Sequence, residues 1–78
     1  MNHYAAILAI SEAKELSITD TLNKAQVTYA DCVEADTNKE KSKGVVNSIH
    51  ENFGISKEVI AMLVLESQDV PKEREQIF

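Results

Sequence analysis

The chain has 78 residues, with 8 Lys and Arg against 13 Asp and Glu, for a formal net charge of −5. Hydrophobic residues make up 44% and aromatics 5%. The length excludes two domains, each of which takes ~100–200 residues. The apolar fraction excludes compositional disorder, and a single Cys excludes a disulfide framework. No apolar run approaches the ~18 residues of a membrane span. The opening MNHYAAILAISEAKEL lacks a basic region followed by a clean apolar core. A small, soluble, cytoplasmic chain with no membrane insertion is therefore expected. Without Trp, the core must be built from Ile, Leu, Val and Ala. Two Gly and one Pro supply little turn chemistry for short strands and favour helices on short loops.

The first predicted helix runs from Tyr4 to Leu16. Ala6, Ile10, Ala13 and Leu16 form its stripe, widened by Ile7 and Ala9. The second is predicted from Ile18 to Asp36. Ile18, Leu22, Ala25, Tyr29 and Cys32 follow steps of four and three, a seam that faces one partner, and Val33 broadens it. Ser17 or Thr19 is its expected N-cap, and Asp20 complements the positive end of the helix dipole.

Thr37-Asn38-Lys39-Glu40 reads as a capping box that opens the third helix. Val45, Val46, Ile49 and Phe53 supply its apolar face. Gly44 weakens it by ~1 kcal/mol relative to Ala, and Gly54 is placed to end it in the left-handed conformation. Ser56 is the expected N-cap of the fourth helix, with Ile55 and Ile60 at the spacing of a hydrophobic staple. The seven apolar residues from Val59 to Leu65 belong to it. Asp69 and Pro71 then start a short segment from Lys72 to Phe78. The predicted fold is all-α, a compact single-domain bundle of four helices with a short C-terminal helical addition.

The charge is uneven. Residues 1–36 carry −4, residues 37–57 carry +2 and residues 58–78 carry −3. Lys39, Lys41 and Lys43, at one helix start, make a basic spot that could contact an anion or phosphate, together with Lys57. The corner between the third and fourth helices has the apolar and Gly positions of a helix-turn-helix: Ile49, Phe53, Gly54, Ile55, Ile60 and Leu63. His50 fits such a tight crossing badly. The outer positions of the second helix of that corner, Ser56, Lys57, Glu58, Ala61, Met62 and Leu65, are poor in base-reading side chains. An acidic chain also forfeits the counterion release that drives binding to phosphate.

If Ile60, Leu63 and Val64 face the core, Val59, Met62 and Leu65 point outward. A helix that is apolar nearly all round lies at an interface when the fold is too small to wrap it. Val59, Met62 and Leu65, rimmed by Glu58 and Glu66, are therefore the predicted partner-binding residues. Cys32 on the second seam is expected to be a small buried hydrophobe. His3 near the terminus is expected to be inert, and His50 to be half-buried or a pH-sensitive contact. The acid pairs Glu12 with Glu15, Asp31 with Glu34 and Glu73 with Glu75 are expected on solvated faces. With no Gly-rich phosphate loop and no nucleophile–base spacing, no catalytic residue, metal site or cofactor is expected.

The stretch from Val45 to Glu66, VVNSIHENFGISKEVIAMLVLE, resembles the C-terminal halves of small helical regulatory proteins of T-even bacteriophages. It shares an amphipathic helix, an aliphatic-Gly-aliphatic turn and an apolar helix. The likeness covers about a third of the chain and implies a small regulator that works by binding. The expected function is that of an acidic, non-enzymatic inhibitor or adaptor, which binds another protein or itself as a homodimer. The alternative expectation is a helix-turn-helix protein with Lys39, Lys41, Lys43 and Lys57 at the phosphates of nucleic acid.

Overall fold

A computed structural model describes residues 2–66. They form five helices, α1 (His3–Lys14), α2 (Ile18–Ala25), α3 (Tyr29–Ala35), α4 (Lys39–Phe53) and α5 (Lys57–Glu66), with no strand among them. The expected all-α bundle is thus present. The predicted segment from Lys72 to Phe78 lies outside the described residues.

The helix predicted from Ile18 to Asp36 is two helices. The chain breaks at Gln26, which takes a left-handed φ of 60°, and its N–H turns back to the carbonyls of Asn23 and Leu22. Thr28 then starts α3 through a reciprocal capping box: Asp31 N–H donates to Thr28 Oγ1 at 3.0 Å, and Thr28 N–H donates to Asp31 Oδ2 at 2.9 Å. The break shifts the phase of the expected seam. Leu22, Ala25 and Cys32 remain at the core, but Ile18 (41% exposed), Tyr29 (58%) and Val33 (48%) face out, and Val27 is buried in the turn instead.

The other ends follow local rules with one shift of position. Ser17 caps α2 by accepting from Asp20 N–H at 3.0 Å. The capping box expected on Thr37 does not form. Asn38 is the N-cap of α4, accepting from Lys41 N–H at 3.0 Å, while Thr37 closes the end of α3 through Glu34. Both residue types cap well, and the shorter α3 claims Thr37 first. Gly54 ends α4 at φ 71°, with its N–H on His50 O. Ser56 Oγ accepts from Val59 N–H at 3.2 Å and so caps α5.

The core gathers Ile7, Ile10, Ala25, Val27, Cys32, Ala35, Val45, Ile49 and Ile60, with Leu22, Val46, Phe53, Ile55 and Leu63 packed around it. On α1 the buried stripe is His3, Ala6, Ile7, Ile10 and Ser11. Ala13, expected inside, is exposed, because α1 stops at Lys14 and Glu15 turns left-handed at φ 56°. Asn52 on α4 donates to Ala25 O at 3.2 Å and satisfies a carbonyl at the end of α2.

The two glycines make opposite predictions. A Cβ at Gly44 would meet nothing within 4 Å, and the position is in mid-helix. Gly44→Ala should raise stability by about 1 kcal/mol. Gly54→Ala should lower it by a similar amount, about 1 kcal/mol, because its backbone is left-handed. Urea unfolding followed by circular dichroism reads both.

Candidate functional site

The residues predicted to bind a partner are exposed on one side of α5. Within α5, Ile60 and Val64 are buried and Leu63 is half-buried, all turned toward α1 and α4. Val59 (46% exposed), Met62 (56%) and Leu65 (56%) lie on the opposite side at three-residue steps. Glu58 and Glu66 are exposed at its two ends. The result is an apolar centre with an acidic rim, held on a helix whose other side is locked into the core. Tyr4 and Tyr29 meet edge to face at 4.8 Å and, with the exposed Val33, add apolar surface on α1 and α3.

The four lysines predicted to contact phosphate do not form one group. Lys41 is withdrawn from it: its Nζ pairs with Asp31 Oδ1 at 2.9 Å. Lys43 from α4 and Lys57 from α5 line one open cavity of about 390 Å³ with Ser42, Val46 and Asn47. Lys39 is exposed and lines no part of it. Lys41 borders a second depression of about 240 Å³, beside Gln26, Val27, Asp31 and Gly44. Helix periodicity sets Lys41 apart, since neighbours two residues apart on a helix do not share a face, whereas Lys39 and Lys43 are four apart and lie on one side of α4.

Asp31 is more than the solvated acid that was expected. It closes the capping box of α3 and holds Lys41. The lysine, followed by the backbone N–H of Thr28, pulls its carboxyl below the ordinary carboxylate range. The Lys41 ammonium is raised in turn by Asp31. Glu34, its expected companion, remains exposed.

The largest departure from expectation is His3. It is 1% exposed. Its backbone N–H donates to Asp36 Oδ1 at 2.9 Å, its Nδ1 lies 2.7 Å from the same oxygen, and its Nε2 lies 2.7 Å from Ser42 Oγ. Thus α1, the end of α3 and the first turn of α4 converge on one ring. Periodicity misses this cluster because its members are 33 and 39 residues apart. A sequence signal did exist: His3 precedes Ala6, Ile7 and Ile10 at helical spacing and so shares their face. His50, by contrast, matches the half-buried expectation. Its Nδ1 donates to Ile55 O at 2.7 Å and braces the corner around Gly54.

Cys32 is buried as expected. Burial, followed by the charges of Asp31 and Asp36, pushes its thiol up to about 11, which makes it a poor nucleophile. Among the described residues no group of three or more His, Cys, Asp or Glu could hold a metal ion, and no helix is long and apolar enough to cross a membrane. Protein-family models, curated proteins and solved structures return no match to this chain.

Two predictions follow from these titrating groups. Asp31 has a depressed folded-state pKa, so its contribution is present above the unfolded carboxylate value and is lost as pH falls through the folded one. Between pH 6 and pH 2, the urea midpoint of the wild type should therefore fall further than that of Asp31→Asn. Cys32 should react slowly with a disulfide reagent such as Ellman's in the native protein at pH 8, and at the rate of a free thiol in denaturant.

Proposed function

We propose that this protein is a small acidic regulator, an inhibitor or adaptor that acts by docking α5 on another protein. The observation that carries this reading is the outward row of Val59, Met62 and Leu65 on a helix already anchored by Ile60, Leu63 and Val64. Such a surface costs solubility when uncovered and gains free energy when buried. Glu58 and Glu66 on its rim select a groove with basic edges. They also disfavour a second copy of this chain as the occupant, because a two-fold pairing of α5 would gather four acids around one apolar centre. Met62 at the middle supplies an adaptable contact. The resemblance of residues 45–66 to phage regulators agrees with a role played by binding.

A second reading rests on a different observation. Helices α2 and α3 are joined by Gln26, Val27 and Thr28, and the first of these is left-handed. A three-residue turn between two helices is one element of a helix-turn-helix, and it lies one pair of helices earlier than the α4–α5 corner that the sequence suggested. Its second helix exposes Tyr29, Ala30, Val33 and Glu34. These offer neither the cations that neutralise phosphate nor the Arg, Lys, Asn or Gln that read bases. Protein binding is therefore the reading preferred.

The double variant Met62→Glu, Leu65→Glu tests it. The variant should keep the helicity and unfolding midpoint of the wild type, since both side chains are exposed. It should lose a partner that the wild type retains in affinity purification from source cells, by at least about 100-fold in affinity (a loss of about 2.7 kcal/mol). Retention of the same partner by the folded variant refutes the α5 interface. A gel-shift titration decides the second reading. A DNA shift that weakens steeply with salt would support it, and no shift at low salt would remove it.

A further inference from the structure

The part-buried network at the start of α4 plays no part in the docking surface. Its side chains are linked in the order carboxylate, imidazole, hydroxyl: Asp36 Oδ1 to His3 Nδ1 at 2.7 Å, then His3 Nε2 to Ser42 Oγ at 2.7 Å. An ionised carboxylate only accepts, so in the neutral ring Nδ1 carries the proton. Nε2 is then the acceptor for the Ser42 hydroxyl. The same Oδ1 also accepts from the His3 backbone N–H at 2.9 Å, which fixes the carboxylate against the ring.

A structural tie would need only that each polar atom find a partner. The position of Ser42 goes beyond that need. The His3 ring is 1% exposed, and the hydroxyl that covers its Nε2 is half-buried and borders the open cavity of about 390 Å³, the side from which substrate and water would reach both atoms. Lys43 and Lys57, from two different helices, line that cavity with Asn47 and Val46. A serine held by a base, a base held by a carboxylate, and two cations beside the serine are the parts that acyl transfer requires.

We propose that Ser42 is a base-activated nucleophile that accepts the acyl group of carboxylic esters bearing an anionic substituent. Ser42 Oγ forms a bond to the ester carbonyl carbon while its proton passes to His3 Nε2. The C–O bond to the leaving alcohol then breaks, and that oxygen takes the proton from Nε2. Water, giving a proton to the same nitrogen, attacks the acyl-Ser42 ester, releases the carboxylic acid and restores the hydroxyl. Lys43 and Lys57 attract the anionic substituent and the charge that develops on the carbonyl oxygen. Asp36 is a positioning residue: it sets the tautomer and the plane of the ring.

The first test uses the full chain and a fluorophosphonate, which forms an Oγ–P bond as its P–F bond breaks. Intact mass and peptide mapping should show one adduct per chain, on Ser42. Ser42→Ala should take no adduct and keep the far-ultraviolet circular dichroism of the wild type. Asp36→Asn and His3→Gln should slow labelling by on the order of 100-fold or more, and Asp36→Glu should recover part of the rate. That recovery separates ring positioning from loss of fold. Thermal unfolding of each variant ensures that only folded chains are compared, and should His3→Gln unfold, Asp36→Asn carries the same test. With p-nitrophenyl esters, the hemisuccinate should acylate the wild type faster than the acetate, and Lys43→Met with Lys57→Met should abolish the difference. An unlabelled folded wild type, an adduct on another serine, or Asp36→Asn labelling at the wild-type rate overturns the nucleophile. Equal rates for the two esters overturn the anionic substrate class.

Discussion

A buried imidazole must find partners for both nitrogens, because an unpaired polar group away from water costs about 1–3 kcal/mol. His3 meets that demand by drawing three helices together. Its ring bridges the end of α3 at Asp36 and the first turn of α4 at Ser42, while its backbone N–H holds the same carboxylate. The adjoining Asn2 caps α1 through Ala5 N–H, and its backbone N–H reaches Val64 O on α5. The N-terminus is therefore the point where α1, α3, α4 and α5 are tied. In a chain of this size, with no disulfide framework, a few such polar ties specify the arrangement that an aliphatic core by itself leaves loose.

The remaining polar links follow the same economy. Asn52 satisfies the end of α2, His50 braces the Gly54 corner through Ile55, and Asp31 serves α3 and α4 at once. Among the described residues, no buried side-chain nitrogen or oxygen lacks a partner. Among the described residues the aromatic rings lie at the edge of the core: Tyr4 against Tyr29, and Phe53 beneath the Lys24 ammonium at 5.0 Å. The buried apolar residues are Ile, Val, Ala and Cys32, joined by the polar His3, Ser11 and Thr21.

These ties leave two surfaces of different chemistry. The outer side of α5 is apolar and acidic at its edges, suited to burial against a protein. The cavity between α4 and α5 is basic and adjoins a hydroxyl backed by the His3 ring. The net charge of −5 conceals this separation. Lys43 and Lys57 turn to the cavity, and Lys41 turns to Asp31.

Helical class, the Ser17 and Ser56 caps, the Gly54 stop, the inner and outer sides of α5 and the burial of Cys32 were all legible from local spacing. Each depends on residues within about two turns of one another, where 3.6-residue periodicity and capping chemistry act directly. The break at Gln26 was also written locally, in Thr28 and Asp31, but a continuous four-three seam overrode that signal. The exposure of Tyr29 and Val33 follows from the break. The pairing of His3 with Asp36 and Ser42, the capture of Lys41 by Asp31 and the placing of Lys43 and Lys57 along one cavity had no local trace. They depend on where helix axes lie relative to one another, and that is decided by the packing of the whole core.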